Sequence, residues 1–372
     1  MKKLGFGLMR LPLIDANDPT SIDLEQLKSM VDMFLERGFT YFDTAWMYHN
    51  GASESAVKPA LVDRYERDRF TVADKLHGGY LKCADDRDRI FNEQRRKTGV
   101  EFFDYYLLHA LGAELYEIYQ KYDCFEWLRE KKRLGLAKKI GFSFHDTAEL
   151  LDRVLTEQPG MDFVQLQINY LDWNSDGVQS RKCYEVAQKH GLQVIVMEPV
   201  KGGTLANVPP AVHDMFKNHN AEDSVPSWAL RFVASLDNVM MVLSGMSNME
   251  QLADNISTFD DFKCLSDEEH DIITRAVNIM NSSNAIACTG CSYCTEGCPM
   301  NIAIPKYFSL YNADLQENAD KMWKPQAAYY DNLTLDFGKA SDCIACGQCE
   351  AVCPQHLSII ENLKTVAEHF EE

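Results

Sequence analysis

Short β-branched and aromatic runs recur along the first two thirds of the chain, and several deliver a polar side chain at their C-terminal end. Phe39–Asp43 ends in a carboxylate, Phe70–Lys75 in a lysine and Asp104–His109 in a histidine, and Tyr48 follows Asp43 by five residues. Leu4–Leu11, Lys139–Phe144, Phe163–Asn169, Leu192–Met197 and Val239–Gly245 read as further strands. Between them lie amphipathic segments at Leu24–Arg37, Glu54–Tyr65, Asp86–Lys97, Leu115–Leu134, Thr147–Leu155 and Ser180–His190. Eight strands alternating with helices over residues 1–280 predict a (βα)8 TIM barrel, an α/β fold that typically takes ~250 residues and carries its active site at the C-terminal ends of the strands. An open doubly wound sheet is the alternative, but no Gly-x-Gly-x-x-Gly follows an early strand.

The chain has 372 residues, more than one barrel needs, and 46% of them are hydrophobic, enough for a buried core. A formal net charge of -19 argues against nucleic acid or an anionic membrane as a partner. The basic start at Lys2 and Lys3 leads into an apolar run cut short at Arg10, which reads as a strand and not a signal peptide. With no run long enough to span a bilayer, the expectation is a cytoplasmic protein.

After Ile279 the texture changes. Asn281-Ser282-Ser283-Asn284 is a polar connector, and residues 281–372 form a second, cysteine-rich unit. Eight of the twelve cysteines fall there, in two runs: Cys288, Cys291, Cys294, Cys298 and then Pro299; Cys343, Cys346, Cys349, Cys353 and then Pro354. Cys-x2-Cys-x2-Cys-x3-Cys-Pro is the spacing that wraps a 4Fe–4S cluster, because three thiolates on one tight loop can meet three corners of a cube. Zinc sites use four ligands, often as two separated pairs, and do not call for this arrangement. Two clusters are therefore expected, with Cys298 serving the second and Cys353 the first, as in two-cluster ferredoxins. The insert from Ile304 to Asn312 looks helical, so the segment resembles a mostly helical dicluster ferredoxin-like domain. Cys83, Cys124, Cys183 and Cys264 are scattered and read as ordinary small apolar residues. Such clusters are commonly oxygen-sensitive, which suggests an anaerobic or microaerobic setting.

Asp43, Tyr48, Lys75 and His109, each at its expected strand end, resemble the catalytic tetrad of the aldo-keto reductases. Ile140-Gly141-Phe142-Ser143, Gln165, Glu198-Pro199 and the stretch from Gly245 to Asn255 agree with that resemblance, which covers residues 4–280. The whole chain resembles the branch of the family with a fused 4Fe–4S dicluster domain. Taken singly, each of the four residues has an ordinary role; together and in this order they make a site. The resemblance implies carbonyl reduction or alcohol oxidation on a small-molecule substrate. Tyr48 would donate the proton and Lys75 would lower the phenol's pKa, with Asp43 orienting Lys75 and His109 bonding the substrate oxygen. It also implies NAD(P)H, with Ser143 and Gln165 at the nicotinamide, Gly245, Ser247, Gln251 and Asn255 at the adenosine end, and Met9 and Arg10 near the ribose.

Three positions depart from the family pattern. Phe144 stands where asparagine is usual, Met197 where an aromatic stacks on nicotinamide, and Gln251 where a cation meets a 2′-phosphate. No basic residue occurs from Ser247 to Asn255, so NADH is favoured over NADPH. Lys201-Gly202-Gly203, with Glu198 and the Gly245 loop, is a candidate phosphate site. Trp46, His49, His77, His145 and Tyr170 are candidates for the substrate pocket, against an equal case for plain packing.

Three functions compete. In the first, carbonyl chemistry is coupled to one-electron transfer through the clusters, with a ferredoxin or flavodoxin-type electron carrier as partner. Clusters pass single electrons and nicotinamide passes pairs, so a flavin, for which no motif is evident, or a radical-tolerant substrate would stand between them. In the second, the chain is an ordinary NAD(P)H-dependent reductase whose clusters are structural or dock a partner. In the third, it is a redox sensor or electron carrier without turnover, against which the intact tetrad speaks.

Overall fold

In the computed structural model, residues 2–282, 285–295, 297–317 and 324–371 are described. Eight parallel strands close in chain order into a barrel: β1 (Leu4–Gly7), β2 (Tyr41–Asp43), β3 (Thr71–His77), β4 (Phe103–Leu111), β5 (Ala137–Phe144), β6 (Phe163–Gln167), β7 (Gln193–Met197) and β8 (Val239–Gly245). β1 pairs with β8 to complete the ring, with Gly7 opposite both Asp43 and Gly245. Each strand alternates between two packed environments, as a closed sheet wrapped by helices requires. Tyr41, Ala73, Leu107, Phe163, Ile195, Met241 and Leu243 plug the barrel interior. Phe6, Phe42, Val72, Tyr106, Phe142 and Val194 face outward into the larger core beneath the helices.

Three sequence expectations change in shape. β1 stops at Gly7, not Leu11, and Leu8–Arg10 forms a tight helical turn. Beyond Gly7 the backbone is satisfied by side chains: the Leu8 carbonyl accepts from Ser53 Oγ at 3.0 Å, and the Leu11 N–H donates to His49 Nε2 at 3.0 Å. The expected helix Glu54–Tyr65 is a helix Ala52–Val57 that widens into a π turn over Lys58–Val62. Pro59, which lacks an N–H, sits in that turn, and the Asp63 N–H reaches back five residues to the Lys58 carbonyl. The expected helix Leu115–Leu134 is two helices, Ala113–Lys121 and Cys124–Arg133, broken where Asp123 takes a left-handed φ of 51°. Aspartate tolerates that conformation better than most residues.

The helix Asp267–Asn281 ends on the sequence-predicted connector, of which Ser283 and Asn284 lie outside the described residues. The second unit is helical, with Ile304–Leu315, Pro325–Leu333 and Ile359–Phe370 packed around their own core. Val178, from the loop after β6, inserts into that core, so the two units share a packed boundary. Among the described residues, no helix is long and apolar enough to cross a membrane.

Gly141 marks the tightest backbone approach within the barrel: a Cβ there would lie 2.3 Å from the Phe163 carbonyl oxygen across the β5–β6 ladder. Backbone cannot yield as a side chain can, so Gly141→Ala is expected to cost at least the ~1–3 kcal/mol typical of overpacking. A drop of several degrees in the thermal midpoint would show it; an unchanged midpoint would mean that the strands can part locally.

Candidate active site and the cysteine-lined voids

Two residues beyond the interior plug, on the same face of their strands, stand Asp43, Lys75, His109, Ser143, Gln165, Met197 and Gly245. All border one cavity of about 540 Å³ at the C-terminal mouth of the barrel. Lys75 Nζ spends its three donors within it: 2.5 Å to Asp43 Oδ1, 2.7 Å to the Thr44 carbonyl and 3.2 Å to Tyr48 Oη. His109 stands edge-on to Tyr48, with ring centroids 5.9 Å apart. All four tetrad residues therefore meet.

Tyr48 is presented by an unusual turn. His49 (φ 53°), Asn50 (φ 53°) and Gly51 (φ 88°) are left-handed in succession, a conformation that two non-glycine residues adopt only under outside restraint. The His49 ring supplies it, with Nε2 accepting the Leu11 N–H and Nδ1 2.8 Å from the Pro19 carbonyl. Those partners require a neutral ring with its proton on Nδ1.

The eight residues expected at the dinucleotide border the same cavity. Ser143 Oγ accepts the Ala110 N–H at 2.7 Å, Ser247 Oγ donates to the Arg10 carbonyl at 3.0 Å, and Gln251 Oε1 accepts the Ser247 N–H at 2.7 Å. Asn255 Nδ2 donates to Ser244 Oγ at 2.7 Å. Arg10 lies 3.6 Å from Glu198, and its methylenes cover Gly245, where a Cβ would fall 3.0 Å from Arg10 Cδ. Met9 and Gln165 complete the set.

Some expected residues stand elsewhere. His49, His77 and His145 line the cavity, but Trp46 does not: it packs edge-on to Tyr80, with Lys97 over its ring. Tyr170 borders a separate cavity of about 290 Å³ beside Cys288. Phe144 is buried in the core outside the barrel. Lys201 is unavailable to a phosphate, because it is 1% exposed and bound by Asp172 at 2.7 and 2.8 Å.

Burial governs the electrostatics. It works against the Lys75 charge, yet Asp43 and Tyr48 outweigh it and hold the ammonium above the ordinary lysine pKa. Burial also raises Tyr48, and Lys75 offsets this only in part, while Asp43 and Glu198 push the same way as burial. Lys75 does pull the phenol down, as expected, but burial outweighs it, so Tyr48 stays above its ordinary value and keeps its proton. Burial, helped by Lys75, His77 and His145, holds His109 well below its ordinary value, so its imidazole is neutral. Burial lowers His77 and His145 to about 4 each.

A polar layer behind Lys75 had no sequence signal beyond its own residue types. Gln94 Nε2 lies 2.9 Å from Glu54 Oε1, Asp74 Oδ1 and the Lys75 carbonyl, and Tyr106 Oη donates to Gln94 Oε1 at 2.5 Å. Burial and neighbouring Glu54 raise Asp74 well above the carboxylate range. Asp74 and Tyr106 sit opposite each other on β3 and β4, one residue out of phase with the tetrad.

In the second unit, Cys288, Cys291, Cys294 and Cys353 border one void, and Cys298, Cys343, Cys346 and Cys349 border another. The last cysteine of each run thus stands with the first three of the other. Ile304 lies between the two voids, with Phe308, Leu357 and Ile359 walling one and Ile302, Ile360 and Leu363 the other. All twelve cysteines are free. Among the described residues, no three His, Cys, Asp or Glu side chains converge as a single metal ion needs. Four thiols around an apolar hollow instead fit a cubane, one per iron.

The sequence profile of the aldo/keto reductase family matches residues 3–278. The chain belongs to the aldo/keto reductase family. A 4Fe-4S dicluster domain profile matches residues 287–358, so this aldo/keto reductase, an oxidoreductase, carries a fused iron–sulfur domain. Solved aldo-keto reductases share its barrel. A holo form from Bacillus halodurans is 22% identical, covering 74% of this chain and 91% of its own at a TM-score of 0.58. A Klebsiella pneumoniae enzyme in complex with NADPH is 21% identical, covering 73% and 90% at 0.56. One from Brucella melitensis is 20% identical, covering 73% and 94% at 0.55. Identities this low speak for the fold alone.

The buried imidazoles of this aldo/keto reductase set an acid limit. His49, His77, His109 and His145 are all held below the ordinary 6.5, so below that pH the unfolded chain binds more protons than the folded one. Their contribution to stability is present above pH ~6.5 and is lost as pH falls toward 4, each at up to ~1.4 kcal/mol per unit. Urea unfolding followed anaerobically at pH 7.5 and 5.5 should show this loss, and His77→Gln should lessen it. Equal acid sensitivity in the variant would remove His77 from the account.

Proposed function

We propose that the chain reduces a carbonyl group, or oxidises the corresponding alcohol, at Asp43, Tyr48, Lys75 and His109, with a nicotinamide dinucleotide as redox partner. The observation that carries this reading is the buried Lys75 ammonium, which touches Asp43 on one side and the Tyr48 hydroxyl on the other. Bound nicotinamide supplies or accepts the hydride. Tyr48 Oη holds the proton that the substrate oxygen needs, and Lys75 at 3.2 Å stabilises the phenolate left behind. Asp43 keeps the lysine charged, and neutral His109 can donate a hydrogen bond to the substrate oxygen without competing for the proton.

The dinucleotide is NADH in this reading. The Klebsiella pneumoniae neighbour holds NADPH, but here the adenosine end offers Gln251, Asn255 and the carboxylate of Asp254. Arg10, the nearby cation, is shared with Glu198. A 2′-phosphate would leave water for a place without a free cationic partner.

The two cysteine-lined voids would each hold a 4Fe–4S cluster and exchange single electrons with a separate carrier of ferredoxin or flavodoxin type. Coupling those electrons to hydride chemistry inside the chain needs a flavin or a radical-tolerant substrate. A second reading, with structural clusters, is favoured by one observation: side chains of the second domain reach loops that line the active-site cavity. An anaerobic visible spectrum before and after NADH, then NADPH, separates the two. Bleaching of the iron–sulfur band supports coupling, and extra bands reveal a flavin. No bleaching, with dithionite still reducing the clusters, supports the structural reading.

Tyr48→Phe should cut turnover of an aromatic aldehyde by about 10²–10⁴-fold, the range for loss of a general acid, with nicotinamide affinity retained. Retained turnover would remove Tyr48 as the proton donor.

A further inference from the structure

The loop after β7 is a strained wall of the active-site cavity. Glu198, Gly202 and Gly203 border the cavity, and the backbone is left-handed at Glu198 (φ 54°), Lys201 (φ 48°), Gly202 (φ 62°) and Gly203 (φ 100°). Two non-glycine residues in that region persist only where surrounding contacts over-determine them. Lys201 provides the contact. Its ammonium binds both oxygens of Asp172, and Glu317 Oε1 lies 3.4 Å away on the far side of the domain boundary.

Glu317 belongs to the iron–sulfur domain, just past the helix Ile304–Leu315, and is itself held by Gln326 Nε2 at 3.0 Å. The three ionic side chains are almost fully buried, at 1% exposure for Lys201 and 3% for Asp172 and Glu317. A buried cation must be neutralised, and here one of its two carboxylates comes from the other domain. A second, separate tie lies across the mouth. Asn332 Nδ2 donates to the His145 carbonyl at 2.8 Å, filling the hollow where a Cβ on Gly112 would fall 2.5 Å away.

We propose that the iron–sulfur domain shapes the dinucleotide pocket through the buried Glu317–Lys201 ion pair, which makes Glu317 a positioning residue for nicotinamide binding. The proposal rests on reading the cavity as a nicotinamide site. Glu317 does not border the cavity; it fixes Lys201, and Lys201 fixes the loop.

The test uses the full-length, cluster-loaded protein and Glu317→Gln, which removes the charge and keeps the size. Expected are unchanged cluster absorbance, a lowered thermal midpoint, an NADH dissociation constant raised roughly tenfold by fluorescence quenching, and faster hydrogen exchange over residues 198–203. The conservative Glu317→Asp should restore most of the affinity. If Glu317→Gln loses its clusters, Glu317→Asp is measured instead, and its shorter reach should give a smaller rise in the dissociation constant at full cluster content. An unchanged dissociation constant in the cluster-loaded variant overturns the proposal. If the parent protein binds neither NADH nor NADPH, the nicotinamide reading fails on its own. Exchange over residues 198–203 then decides whether the ion pair holds the loop: faster exchange in the variant supports it, unchanged exchange overturns it.

Discussion

A lysine ammonium shut away from water has to be neutralised on the spot, and the barrel mouth is arranged around that need. Lys75 is 1% exposed, and each of its donors meets an oxygen held by a different part of the segment from β2 to Tyr48. Below it the barrel is filled with apolar side chains, so little solvent screens the charge. That burial is what the proposed chemistry draws on. A phenol that would be indifferent to a lysine in water feels its field strongly here, and the field is already in place before any substrate arrives. Removing Asp43 would leave an uncompensated buried charge, a change worth about 3–5 kcal/mol in comparable settings. The packing of the mouth and the chemistry proposed for it therefore depend on the same pair.

The second domain is not an appendage hung from the barrel's last helix. It reaches the mouth at two loops, through Asn332 at the loop after β5 and Glu317 at the loop after β7, while Val178 of the barrel enters its core. These contacts are partly polar, through Asn332 and Glu317, and partly apolar, through Val178. They give the domain a mechanical part in the reductase whatever its clusters do with electrons.

Much of this could be read from the residues in order. Strand alternation puts Asp43, Lys75 and His109 on the inward face two places beyond Tyr41, Ala73 and Leu107, and a polar residue after an apolar run marks each strand end in one dimension. The cysteine spacing is equally plain, because a tight loop leaves few geometries. What stayed hidden depends on three-dimensional neighbours. The apolar periodicity runs unbroken through Asp123, although the helix does not. Lys201-Gly202-Gly203 has the composition of a phosphate loop, yet its lysine is already taken by Asp172 and by Glu317, more than a hundred positions on. The phenol of Tyr48 is a subtler case: the attraction of Lys75 was foreseeable, but the larger effect of burial was not.

The two cysteine runs are interlocked. Because Cys353 stands with the first run and Cys298 with the second, neither ring of thiols is complete until the chain has travelled through the whole helical insert and returned. Both rings therefore depend on the stretch of chain that carries Cys298 back to Cys343. Trimming the tail to its first motif would leave one ring with three thiols and the other with one.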